Sequence, residues 1–245
     1  ILSIFGAIVV AFFVTLTITV FYKTPTCTDS IQNQGEVGID CGGACAYLCT
    51  AQVQAPVVLF TKIVANNAGR TDIVASIENK NMHAEARDVP YRITLYGSRQ
   101  SLLQEIKGTL DLFPGATTVV YLPGVIVGNQ KVVQAFFSIE SSDPHWLSVQ
   151  KDSRLVPLVS NTVLSGATST PRIEAVLSNT YVTALRNIPV IVLVHGEDSG
   201  IIAVSKTIVS VIPAQGSATA VFTWNSAFPS IPTSIEVVPV VPPSL

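Results

Sequence analysis

Residues 88–114 read D-V-P-Y-R-I-T-L-Y-G-S-R-Q-S-L-L-Q-E-I-K-G-T-L-D-L-F-P, and residues 187–213 read N-I-P-V-I-V-L-V-H-G-E-D-S-G-I-I-A-V-S-K-T-I-V-S-V-I-P. With Asp88 laid on Asn187 the two stretches run together without a gap. Gly97 meets Gly196, Leu102 and Leu103 meet Ile201 and Ile202, and Lys107 meets Lys206. Upstream the offset changes by one residue, so that Ile73, Ala75, Ile77 and Asn79 fall on Ile173, Ala175, Leu177 and Asn179. Self-similarity at a fixed spacing is the mark of a repeated structural unit. Residues 57–155 and 156–245 therefore read as two copies of one domain.

Each copy carries the strand pattern. Ile73, Ala75 and Ile77 fall on one face, as do Tyr91, Ile93 and Leu95 and their equivalents Val190, Val192 and Val194. Alternation of this kind belongs to strands with one buried face. Turn residues separate the runs, at Asn66, Asn67 and Gly69, at Gly97 and Ser98, at Pro114 and Gly115, and across residues 196–200. No run of ten or more residues in this region keeps a helical period. The expected fold is all-β: two tandem immunoglobulin-like β-sandwiches of six or seven strands each.

All four cysteines, Cys27, Cys41, Cys45 and Cys49, lie in one short segment ahead of the repeats. Two chemistries compete there, disulfides in an oxidising compartment and a zinc site in a reducing one. Structural zinc prefers two short cysteine pairs set well apart. Here Cys41, Cys45 and Cys49 are evenly spaced and Cys27 stands alone, which favours disulfides. The sequence does not choose among the three possible pairings. Asp29, Asn33, Glu36 and Asp40 are interleaved with Gly35, Gly38, Gly42 and Gly43, and oxygen donors in a curling loop suit calcium. The competing reading needs no ion: Asx side chains and glycines build the turns of a tied loop. No other cofactor is expected.

The segment resembles a short cysteine module of the form C-x-D-x-x-x-N-x-x-E-x-x-x-D-C-G-G-x-C-x-x-C, carried by extracellular and cell-surface proteins. The matching residues are Cys27, Asp29, Asn33, Glu36, Asp40, Cys41, Gly42, Gly43 and Cys45, and the last gap (Ala46, Tyr47, Leu48) is one residue longer than the usual form. A second resemblance lies at Ile93-Thr94-Leu95-Tyr96-Gly97, which follows the Val89-Pro90 step. It is similar to a bacterial extracytoplasmic β-sandwich domain whose Phe-x-Leu-Tyr-Asp strand leads into a hairpin, with Gly97 in place of the aspartate. That resemblance implies fold class and little chemistry.

Residues 1–22 carry no charge, and their only polar side chains are hydroxyls. As a helix the run would be about 33 Å long, enough for a hydrocarbon core of about 30 Å. It reads as a transmembrane anchor helix, followed by the cysteine module and linker at residues 23–56. The expected topology is single-pass in the cell membrane, N-terminus cytoplasmic and residues 24–245 extracytoplasmic. A pilin-like filament subunit is the lesser alternative, because the fifth position is Phe5 where such subunits carry a glutamate.

Chemistry is sparse. Charged residues make up 12% of the chain, the net charge is -2, and there are three histidines. No nucleophile stands at triad spacing and no glycine-rich phosphate loop is present, so no enzyme is expected. Scattered basic residues exclude nucleic acid as a partner. One surface contrast stands out: Arg92, Thr94 and Tyr96 in the first copy correspond to Ile191, Leu193 and His195 in the second. An apolar stripe of this kind marks a partner interface, unless the first copy or a loop already covers it. The combined expectation is a membrane-anchored protein with a binding, adhesive or structural role at the cell surface, meeting other proteins of the cell envelope. The alternative is an accessory subunit that docks a membrane enzyme, a secretion machine or a pilus-like assembly through its sandwiches.

Overall fold

The computed structural model describes residues 6, 12–16, 26–33, 35–65, 70–125, 127, 130–140, 144–198 and 200–242. The chain divides into two compact units, Ile1–Gln52 and Val53–Leu245. In the second unit the first copy contributes β1 (Val57–Ala65), β2 (Thr71–Glu78), β3 (Ala84–Tyr96), β4 (Leu102–Leu112), β5 (Thr117–Val125), β6 (Gln134–Ile139) and a short β7 (Trp146–Ser148). The second contributes β8 (Leu158–Ser165), β9 (Arg172–Ser178), β10 (Leu185–His195), β11 (Ile201–Ile212), β12 (Ser217–Thr223) and β13 (Ser234–Pro239). The first copy forms sheets β1-β2-β5 and β4-β3-β6, with β7 on the start of β3; the second forms β8-β9-β12 and β11-β10-β13. Six strands of one copy thus match six of the other in order and pairing, and β7 has no counterpart.

Two expectations are corrected. The tandem immunoglobulin-like arrangement needs a fourth strand on one sheet and a closing strand beyond the sixth. Here β7 pairs with Ala84, Glu85 and Ala86 at the start of β3 instead of extending the sheet past β6, and the second copy has six strands. Every sheet keeps two open edges, so none closes into a barrel. The all-β class stands in this coarser form.

The anchor is the other correction. No helix of the described residues is long and apolar enough to cross a membrane. Helix among them is confined, in residues 1–22, to Gly6 and residues 12–16, and the rest of that expected span lies outside the described residues. The membrane as a partner, the single-pass topology and the anchored cell-surface role all rested on that helix and fall with it.

Within the copies the alternating positions are the buried ones. Ile73, Ala75, Ile77, Ile93 and Leu95 have no exposed surface, and neither do Val190, Val192 and Val194. In the second copy one cluster joins Ile173 and Leu177 of β9 and Phe222 of β12 to Val190, Val192 and Val194 of β10 and Ile212 of β11, so the two sheets pack face to face. Each fully buried side chain of this size contributes about 1.5–3 kcal/mol. The copies solve one packing problem differently. Tyr91 lies opposite Gly108, whose absent Cβ leaves room for the phenol ring, and that ring stacks on Phe137 at 4.9 Å. The equivalent pair is Val190 opposite Thr207, which shares the volume more evenly between the two strands.

Two buried asparagines pin the loop after the second strand of each copy. Asn79 Nδ2 donates to the carbonyls of Ala84 and Phe113 at 2.8 and 2.9 Å, and its Oδ1 accepts the Asn81 N–H at 3.0 Å. Asn179 does the same in its copy, donating to Thr183 O and Pro213 O at 2.8 and 2.9 Å and accepting from Tyr181 N–H at 2.9 Å. These amides replace ladder bonds where the chain leaves one sheet for the other, because buried carbonyls left unpaired cost about 1–3 kcal/mol each.

The copies also pack on one another. Val64, Val74 and Val119, on the outer face of β1-β2-β5, join Ile191 and Leu193 of β10 and Val204 of β11 in one buried cluster. Phe60, Tyr121, Ile201, Val238 and Val240 border it. Strand β2 is consequently buried on both faces from Asp72 to Ile77. Ile191 and Leu193 are therefore covered by the first copy, at 3% and 1% exposure.

Candidate functional site

In the first unit the four cysteines form two bridges, Cys27–Cys45 and Cys41–Cys49, with Cα separations of 5.7 and 5.0 Å. Their loops interleave, and the acidic side chains knit the interior. Asp40 accepts N–H bonds from Asp29 at 2.9 Å (Oδ1) and from Ser30 at 2.9 Å (Oδ2). Asp29 accepts from the N–H groups of Ile31 and Thr26 and from Asn33 Nδ2. Glu36, 7% exposed, takes the N–H groups of Asn33 and Asp40 on Oε2. Of the expected calcium ligands, Asp29, Glu36 and Asp40 thus accept backbone N–H groups, whereas Asn33 donates through Nδ2 and its Oδ1 is buried without a hydrogen-bond partner; Asp40 itself adopts φ 56. Asx side chains favour such turns because they bond their own backbone and tolerate the left-handed region.

A different grouping could hold a metal ion: Cys27, Glu36 and Cys45 place their ligand atoms within 4.8 Å of one another. Glu36 Oε1 lies 3.1 Å from Cys45 Sγ. Both sulfurs are in the bridge, and a disulfide sulfur is neither a thiolate ligand nor a hydrogen donor, so an ion would require the bridge to be reduced. Nothing in this grouping points to calcium.

The second site lies in the repeats, and none of the candidate residues read from the sequence lines it. A cleft of about 650 Å³ opens at one end of the seam between the copies. It is lined by residues 63–65 of β1, Asp72, Tyr121, residues 201–205 of β11 and the segment 223–229 after β12. Asp72 is 6% exposed and holds the floor: its Oδ2 accepts the Tyr121 hydroxyl at 3.0 Å and its Oδ1 the Gly124 N–H at 2.7 Å. Burial first, and then the Asp72 charge, push the Tyr121 phenol well above its ordinary range. Trp224 and Phe228 meet edge to face at 5.0 Å on the far wall, and the Ser226 hydroxyl is buried there without a hydrogen-bond partner. Among the described residues, no lysine, arginine or histidine lines the cleft.

The remaining expected positions stay apart from this cleft. His195 is partly buried beside Glu236, with Nε2 3.7 Å from its carboxylate, and its carbonyl accepts the Thr233 N–H at 2.8 Å. His83 Nδ1 lies 3.0 Å from Gln150 O. Away from both, Arg92 binds Glu105 and Glu140 on the outer face of β3, and hydrogen bonding to Arg92 holds the Glu140 carboxyl below its usual range. In the segment joining the copies, burial of Asp152 is outweighed by the hydrogen bonds and charge of Arg154, so that carboxyl too sits low. The Arg154 guanidinium in turn lies 3.7 Å over the Phe113 ring.

No protein-family model matches the chain, and no curated protein matches it. The expected resemblance to a single-span bacterial surface protein with domains of the Phe-x-Leu-Tyr-Asp type is corrected, because no helix of the described residues is long and apolar enough to cross a membrane. What stands is a β-rich chain with two disulfides near its start.

Proposed function

We propose that this chain is a non-catalytic protein-binding module whose seam cleft receives an extended peptide segment of a partner. The supporting observation is the pair of strands that border the cleft. Both β1 and β11 are edge strands of their sheets, and each lines the cleft with consecutive residues, 63–65 and 201–205. Consecutive lining means that main chain as well as side chain borders the space, since a strand offers only alternate side chains to one face. An open strand edge is the template for an added strand, with main-chain bonds giving affinity and pockets for alternate side chains giving selectivity. Aliphatic walls and a single carboxylate favour apolar side chains alternating with neutral or basic ones.

Catalysis is not part of the proposal. The Tyr121 hydroxyl and the Asp72 carboxylate engage each other, and Asp72 Oδ1 is held by the Gly124 N–H, which supports a structural role for the pair. A titration of Trp224 fluorescence with an end-blocked hexapeptide of alternating valine and lysine tests the reading. A saturable change is expected, lost in Trp224→Phe and lost when the peptide's backbone nitrogens are methylated. An equal response to the methylated peptide, or no response to either, would contradict it.

A further inference from the structure

The register pairings place each seam residue opposite a counterpart in the other copy, and the counterparts differ in kind. On the second-copy side the seam uses Ile191, Leu193, Val204, Val238 and Val240. Their first-copy equivalents are Arg92, Thr94, Glu105, Ser138 and Glu140, on the outer face of β4-β3-β6. On the first-copy side the seam uses Phe60, Val64, Val74 and Val119. Their second-copy equivalents are Ser160, Ser165, Glu174 and Thr219, on the outer face of β8-β9-β12. At these nine pairs of positions the used face is apolar and the free face carries hydroxyls and charged groups, although Phe136 and Val163 are exposed on the free faces and Lys62 and Ser76 lie on a used one.

The free ends are closed by salt bridges. At one end Arg92 bridges Glu105 and Glu140, and Lys107 adds a contact to Glu140 at 3.6 Å. At the other, Arg172 and Glu174 pair at 2.6 Å along the start of β9, with Val176 and Val221 left partly buried beyond them. The seam is heterologous: the outer face of β11-β10-β13 meets the outer face of β1-β2-β5, which are different faces of the unit. A heterologous contact that does not close on itself continues without limit unless its ends are made unable to bind. Terminal units of stacked repeats are closed by polar outer faces for this reason.

We infer that the seam is a head-to-tail docking mode between copies of this unit, and that the Arg92–Glu105–Glu140 and Arg172–Glu174 faces are stops that limit the stack to the two copies of one chain. The surface that fits a stop, once stripped of charge, is the opposite end of a second copy of this chain. An apolar patch at one end alone has no complementary partner, because the other end stays charged.

That asymmetry supplies the test. Three variants of the full chain are compared with wild type by sedimentation velocity over a concentration series, with circular dichroism to confirm β-structure. The first carries Arg92→Ile, Thr94→Leu, Glu105→Val and Glu140→Val; the second carries Ser160→Phe, Glu174→Val and Thr219→Val; the third carries both sets. Wild type and each single-end variant are expected to sediment alike. The double-end variant is expected to form a concentration-dependent ladder of multiples of the 26.0 kDa chain. Equal association of a single-end variant would mean mere stickiness and would overturn the inference. So would a folded double-end variant that sediments as wild type does.

Discussion

Leu193→Glu is expected to split the thermal unfolding of the repeats into two separate steps. Leu193 is 1% exposed and sits in the seam with Val74 and Val119. The substitution removes about 2 kcal/mol of apolar burial and places a carboxylate in a buried apolar cluster, directly opposite Glu236 in the ladder. A loss on the order of 4 kcal/mol follows, which is in the range reserved for unpaired buried charge. Because Leu193 lies on the outer face of β10, away from the core holding Val190, Val192 and Val194, the cost falls on docking and leaves each copy's own interior intact. Scanning calorimetry reads this directly. The internal control is Thr94→Glu at the equivalent, solvent-accessible position of the first copy, where a change within about 0.5 kcal/mol is expected. One unchanged transition in Leu193→Glu would mean that the seam carries no stability.

Reducing the two disulfides is expected to unfold the Cys27–Cys49 segment while the repeats stay folded. Among its described residues, the only buried ones are Glu36, Gly42 and Cys45. Ile31, Val37, Ile39 and Tyr47 are all exposed, by 56%, 55%, 61% and 43%. A segment with so little apolar interior depends on its bridges. Closing loops with sequence separations of 18 and 8 removes about 2–3 kcal/mol of unfolded-state freedom each. Amide exchange before and after a thiol reductant distinguishes the outcomes. Protection should vanish at the N–H groups of Ser30, Glu36 and Gly42, which now bond within the segment, and persist in β2, β3, β9 and β10. Retained protection at those three after full reduction would show that the hydrogen-bond web, and not the bridges, holds the segment.

The repeat was legible because the same packing problem is solved twice. Ile73, Ala75 and Ile77 and their partners Ile173, Ala175 and Leu177 all line interiors, and the alternation that exposes this is a property of the strand itself. Asn79 and Asn179 were aligned as letters, and the structure gives them the same job, satisfying carbonyls at a crossing between sheets. The seam was half legible. The contrast between Arg92 and Ile191 was visible, but which surface covers an apolar stripe depends on the placement of one copy on the other, which no local pattern encodes. The cleft was not legible, because it exists only once β1 of one copy and β11 of the other are brought side by side. The disulfide pairing was equally out of reach, since spacing leaves three connectivities open. The span expected at residues 1–22 lies mostly outside the described residues, and among those no helix is long and apolar enough to cross a membrane.

The account rests on the docking of the two copies, since both the cleft and the limited stack depend on it. A double-mutant cycle between Val74→Ala on β2 and Leu193→Ala on β10, followed by denaturant unfolding, tests that docking most directly. Coupling of at least about 0.5 kcal/mol is predicted, because residues sharing one buried cluster do not act independently. Additivity within about 0.3 kcal/mol, the behaviour of sites that do not communicate, would contradict it.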